Sequence, residues 1–197
     1  MKTLLKLLTA AVAMVNSAFC QSACQQPREM RPTALNLGFA EGSADTPPIG
    51  WFVGPEWYRP PQSAVHEARV VSGASCNSGK QCAILRTVQN GDHNRSFLYQ
   101  VIDAAQYRGK TLTLRAAVRV EPTEGAVARL LVRVHATDCS TTFRDDMGNH
   151  PIAGNTWAYY EIQAPIALNA QDIEFGTQIV GWGSVWIDSI SMNFSKQ

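Results

Sequence analysis

The chain carries little charge, with 17% of its residues Asp, Glu, Lys or Arg and a formal net charge of +1. Lys2 and Lys6 lie in a leader-like N-terminus, so the part that follows is close to neutral. That balance excludes a protein that finds nucleic acid or a membrane surface by electrostatics. No stretch sustains a helical hydrophobic period, and there are no internal repeats or low-complexity tracts, which excludes helical bundles and solenoids. The apolar run Leu7 to Phe19 is too short to span a bilayer.

Catalytic signatures are missing too. The sequence has no G-x-S-x-G elbow, no P-loop, no dinucleotide glycine fingerprint and no H-E-x-x-H pair. The histidines, His66, His93, His135 and His150, are scattered. No C-x-x-C pair occurs and no histidine stands at ligand spacing beside a cysteine, which excludes a zinc site.

Lys2 and Lys6, the apolar run and the small residues after it form the layout of a secretory signal peptide over residues 1–23. Cleavage after Ser17, Cys20 or Ala23 fits equally. Ser22-Ala23-Cys24 also resembles a lipobox that would leave Cys24 as an acylated first residue, although Gln21 stands where such boxes carry Leu. What remains is on the order of 175 residues, enough for one domain with a full core. Residues 24–33 read as a polar, proline-bearing tail, and residues 34–197 as the domain.

Export implies an oxidising compartment, where Cys76 and Cys82, flanking the loop-like CNSGKQC, should close a disulfide. Cys139 then pairs with Cys24 or stays single.

Short alternating runs separated by turn clusters continue to Phe194, the pattern of an all-β, two-sheet antiparallel sandwich. Thr111 to Val120 sends Leu112, Leu114, Ala116, Val118 and Val120 to one face. Ala128 to His135 sends Leu130, Val132 and Val134 one way and Arg129, Leu131, Arg133 and His135 the other. The intervening EPTEG suggests a hairpin. Further strands are expected at Leu35–Phe39, Glu67–Val71, Cys82–Val88, Ser96–Ile102, Trp157–Gln163, Ile173–Val180 and Ser184–Phe194.

Arg144-Asp145-Asp146-Met147-Gly148-Asn149-His150 is the one polar cluster with carboxylates beside an imidazole, in a loop between strands. A solvated turn, in which Asp and Asn bond their own backbone, is the alternative. The wet strand faces carry Arg115, Arg119, Arg133, His135, Glu161, Gln163, Glu174 and Gln178, which would form one polar surface if their strands are adjacent; a solvated face with cross-strand ion pairs is the bland alternative.

NLGFAEG (36–42), GWFVGPEWY (50–58), QVIDAAQYRGKTLTLRAAVRV (100–120), WAYYEI (157–162) and IEFGTQIVGWGSVWIDSI (173–190), in this order, resemble the galactose-binding-like jelly rolls found among carbohydrate-binding modules and bacterial accessory domains. The last two blocks are similar to that family's final hairpin. DDMGNHPIAG (145–154) resembles a subgroup attached to bacterial regulators, esterases and peptidases. The resemblance implies a jelly-roll fold and, by analogy, a binding module. It also implies a structural Ca²⁺ held by an acidic residue after the Gly-Phe and an aspartate in the closing W-x-D segment. Asp188 matches the second position; at the first, Ala40 follows Phe39 and the carboxylate comes one later, at Glu41.

Sugar recognition in such folds uses aromatic faces and polar groups that bond hydroxyls. Trp51 and either Trp157 or Tyr160 are expected to be buried; Trp57, Tyr58 and Trp182, beside Pro60-Pro61 or between Gly181 and Gly183, are expected to be exposed. The ligand-binding candidates are Trp57, Tyr58, Arg133, His135, Asp145, Asp146, His150 and Trp182. The expected function is an exported, non-catalytic module for a carbohydrate or another polyhydroxylated ligand. The alternatives are an envelope protein-interaction domain and a jelly-roll hydrolase or lyase, the last requiring Asp145, Asp146 or His150 to converge with Arg133 or His135.

Overall fold

The computed structural model describes residues 30–54, 66–87, 95–122 and 126–196. The leader, Cys20, Cys24, Trp57 and Tyr58 lie outside the described residues. The strands are β1 (Phe52–Gly54), β2 (His66–Ser72), β3 (Gln81–Thr87), β4 (Arg95–Asp103), β5 (Lys110–Pro122), β6 (Val127–Ala136), β7 (Thr141–Asp145), β8 (Ala158–Pro165), β9 (Ala170–Val180) and β10 (Gly183–Lys196), with a short 3₁₀ turn at Ala105–Tyr107. They form two five-stranded sheets, ordered β1-β4-β9-β6-β7 and β2-β3-β10-β5-β8. Every neighbouring pair is antiparallel. No helix among the described residues is long and apolar enough to cross a membrane.

The core lies between the sheets and follows from period-two alternation. From β5 it takes Leu112, Leu114, Ala116, Val118 and Val120; from β6, Leu130, Val132 and Val134; and from β9, Ile173, Phe175 and Ile179. Trp51 closes one end, with its ring against Phe39 and Phe175, and it is buried as expected. Tyr160 packs against the core from a partly buried position.

Two expected hairpins do not form. β5 pairs with β10 and β8, whereas β6 pairs with β9 and β7, so EPTEG lies between strands of different sheets. Each strand has one continuous Leu/Val face, and burying both faces against each other removes more apolar surface from water than pairing them edge to edge. The segments 157–162 and 173–190 likewise form no hairpin: β8 and β10 belong to the second sheet and β9 to the first.

The expected strand at Leu35–Phe39 is instead a folded loop. Asn36 and Phe39 have positive φ (49° and 55°). The Asn36 amide donates to the Glu41 and Ile49 carbonyls and accepts from the Glu41 N–H, which satisfies the loop backbone locally. Fully buried Gln100 clasps the same segment through Leu35 N–H (3.0 Å) and C=O (2.6 Å). Conversely, Thr141–Asp145 is a strand, so Arg144 and Asp145 belong to β7 and the loop begins after them.

The Cys76–Cys82 disulfide forms as expected. Central β9 carries Gly176 opposite Tyr99. A Cβ there would lie 2.1 Å from the Leu98 carbonyl oxygen, so only glycine allows β4 to approach this closely.

Candidate functional site

Odd positions of β4 and β6 and even positions of β9 point away from the core on the first sheet. The register sets them in rows: Phe97, Gln178 and Arg129; Tyr99, Gly176 and Leu131; Val101, Glu174 and Arg133; Asp103, Asp172 and His135. β1 adds Phe52 beside Tyr99 (ring centroids 5.5 Å apart), and β7 adds Arg144 beside Arg133.

These side chains are more enclosed than a solvated face would be. Arg133 is 4% exposed, Glu174 1%, Gln178 2%, and His135 and Asp172 are each 9%. Buried charge is tolerated only when paired, and both pairs exist. Arg133 Nη1 donates to Glu174 Oε1 at 3.0 Å, and His135 Nδ1 lies 2.7 Å from Asp172 Oδ1.

Asp146, just past β7, closes the arrangement. Its Oδ2 accepts from Arg144 Nη2 at 2.9 Å, and its Oδ1 lies 4.0 Å from Arg129 Nη1. Burial works to raise its pKa, but the Arg144 hydrogen bond and the charges of Arg144, Arg129 and Arg133 outweigh it and hold the carboxyl below its ordinary value. Arg144 remains largely exposed.

The other acidic-loop candidates do not join. Asp145 Oδ1 accepts from the Met147 N–H at 2.8 Å, an Asx turn that lets Met147 enter the core at φ 51°. His150 is exposed, and its backbone N–H bonds the Met147 carbonyl. Asp146 lies within reach of the Arg133 charge, and His135 has Asp172 as a partner. Trp182 is half-buried rather than exposed.

The residues that would share one polar surface if their strands were adjacent divide between the two outer faces of the sandwich. Arg133, His135, Glu174 and Gln178 lie on the first sheet, while Arg115, Arg119, Glu161 and Gln163 belong to β5 and β8 of the second. On that second sheet Arg115 stacks over Tyr159 (3.7 Å to the ring centroid), and Arg119 lies over Trp186 (4.0 Å) and near Trp157 (5.5 Å) while bonding Glu121 at 2.6 Å. The disulfide loop organises this strip: Asn77 bonds Tyr159 Oη, and the Ser75 carbonyl accepts from Trp157 Nε1.

Asp188 belongs to the same loop system and does not fit the calcium pattern. Its Oδ2 accepts from the Ser78 N–H and its Oδ1 from the Ser189 N–H, and the residue is 1% exposed. Glu41 is exposed on the Asn36 loop. Among the described residues, Asp188 is grouped at ligand distance with Cys76 and Cys82, not with Glu41. Those sulfurs form the disulfide and offer no thiolate.

Asp172, Tyr99 and Phe52 escaped the sequence reading. Placing the start of β9 at Ile173 left Asp172 outside the strand; the alternation Asp172, Glu174 in AQDIEFGTQ was the signal that could have included it.

No family model matches the chain. A curated relative, an uncharacterized HTH-type transcriptional regulator of Bacillus subtilis (strain 168), is 30% identical over 116 residues. The match covers 58% of this chain and 39% of that regulator, well short of two thirds of its length. Among solved structures, a cyclase from Fischerella sp. superposes with a TM-score of 0.60 at 15% identity, covering 83% of this chain and 95% of its own. The CBM22-1 xylan-binding domain from Paenibacillus barcinonensis superposes with a TM-score of 0.56 at 10% identity, covering 81% and 92%. At these identities the likeness concerns the fold: the chain is an all-β jelly-roll sandwich with the architecture of carbohydrate-binding modules.

Proposed function

We propose that the chain is an exported, non-catalytic module that binds a carbohydrate or another polyhydroxylated ligand on the outer face of its first sheet. The observation that carries this reading is the set of charge pairs there, ending in Asp146 between Arg144 and Arg129 at the accessible end. Fixed guanidinium donors beside a carboxylate acceptor suit a surface of hydroxyl groups, since each hydroxyl both gives and takes a hydrogen bond. Half-buried Tyr99 and Phe52 offer apolar rings on the same sheet for the C–H side of a sugar. Xylan binding by a module of the same fold supports the ligand class. The disulfide supports export.

A glycan-array screen of the purified domain, followed by calorimetry, tests this reading. Selective binding is expected, weakened at least about tenfold by Arg129→Ala with Arg144→Ala, since each lost charge-assisted bond removes about 1.5–3 kcal/mol. A blank array from folded protein would overturn the reading in favour of a protein-interaction domain.

A second reading, a jelly-roll enzyme, is favoured by the His135–Asp172 contact, because an imidazole oriented by a carboxylate can move protons. Turnover in a polysaccharide or small-molecule screen that disappears in His135→Ala would select it.

A further inference from the structure

A sheet edge carries unpaired backbone donors and acceptors, and three of the four edges here are guarded. β1 and β7, at the ends of the first sheet, are only 3 and 5 residues long. Where β1 stops, Arg31 continues along β4 by bonding the Val101 carbonyl and the Asp103 N–H. β2, at one end of the second sheet, is met at Val70 by the backbone of Asp45 and Thr46. β8, at the other end, has 8 residues and, among the described residues, no backbone partner on its outer side. It contains no Lys or Arg, has no bulge against β5, and carries proline only at its last position.

The ladder fixes where each backbone group of β8 points. The Ile166 N–H donates to the Lys110 carbonyl and the Ile166 carbonyl accepts from the Gly109 N–H, so the even-numbered positions bond β5. Tyr159, Glu161 and Gln163 therefore turn their N–H and C=O groups outward. Pro165 agrees, because its missing N–H falls on that outer side. The side chains alternate as well: Tyr160, Ile162 and Ala164 pack on the core, whereas Tyr159, Glu161 and Gln163 are exposed.

We infer that β8 is a dimer interface, pairing antiparallel with β8 of a second copy about a two-fold axis through Ile162. In that register Glu161 of each chain opposes Gln163 of the other, and the two residues exchange both of their outward backbone bonds. Tyr159 opposes Pro165, donating its N–H to the proline carbonyl; the proline has no N–H left to satisfy and ends the ladder. On the outer face the Glu161 carboxylate meets the Gln163 amide, a pairing whose chemistry already operates within one chain at 3.1 Å. On the inner face Ile162 meets its own copy, which joins the two cores. An axis through Glu161 would instead oppose two carboxylates, which is unfavourable. Because the axis stands perpendicular to the sheet, the outer faces of both first sheets turn to the same side. Engagement of a ligand by both faces at once rests on the proposed binding function, whereas the interface does not.

Sedimentation velocity on the purified chain, from about 1 μM to about 1 mM, tests the inference. A dimer fraction that rises with concentration is expected. Gln163→Pro should leave the chain monomeric with its melting temperature unchanged in dilute solution, since the N–H it removes bonds nothing in β5. Gln163→Glu should raise the dimer Kd roughly 2- to 30-fold by opposing two pairs of carboxylates, and Gln163→Lys should lower it. A parent that stays monomeric throughout, or a dimer that either Gln163→Pro or Gln163→Glu leaves unchanged, overturns the inference. If Gln163→Pro does not fold, Gln163→Glu and amide hydrogen exchange decide. The Glu161 and Gln163 amides should gain protection as the concentration rises, and amides that stay unprotected in the dimer overturn the inference.

Discussion

Charge placement decides what individual residues do. Arg133 and Glu174 are buried on a face turned away from the core, so truncating one leaves the other as an uncompensated buried charge. Arg133→Ala is expected to destabilise the fold by about 3–5 kcal/mol in urea denaturation, whereas a loss below about 1 kcal/mol would match an exposed pair instead. Asp146 responds to pH. Because its folded pKa is depressed below the ordinary value of 3.8, the stability it contributes is present above that value and fades as pH falls through the lower folded pKa. Asp146→Asn should therefore lower stability at neutral pH and converge with the parent under strong acid, as measured by urea midpoints across pH. Arg133 and His135 were legible in the sequence because β6 alternates cleanly. That Asp145 folds back on Met147 and that His150 stays at the surface were not legible, since both follow from the local turn at Met147.

Among the elements, the Cys76–Cys82 loop holds several neighbours in place. It supplies the Ser78 N–H to Asp188 and the Asn77 amide to Tyr159, and Ser75 just before it gives its carbonyl to Trp157. Replacing both cysteines with serine should cost about 2 kcal/mol through the reopened loop. It should also raise the acrylamide quenching of tryptophan fluorescence as Trp157 loses its anchor; unchanged quenching would show that the strip holds itself. β9 is constrained differently, by close backbone approach at Gly176. Gly176→Ala should destabilise by several kcal/mol in thermal or urea melts, because the neighbour it would strike is main chain that cannot rotate aside. Strand alternation made β2 to β6 and β8 to β10 readable to within a few residues. β7 was hidden because TTFRD lacks an apolar face, and Leu35–Phe39 read as a strand because Asn36's bonds to the loop lie outside any periodic pattern.

For the whole molecule, the exposed Glu41 and the buried, hydrogen-bonded Asp188 predict that chelator leaves the melting temperature unchanged. A rise on adding Ca²⁺ would instead reveal an ion bound to the native state. The sequence by itself determined the all-β class, the inward face of each long strand and the Cys76–Cys82 closure, because period-two alternation and short cysteine spacing are local properties of the chain. The tertiary structure alone decided which strands share a sheet. It separated β5 from β6, divided the polar residues between two outer faces, and brought Asp146 from beyond β7 to Arg129 on β6. Alternation states which side of a strand is apolar but not which strand lies beside it. That choice belongs to the burial of both faces at once, a property of the assembled sandwich.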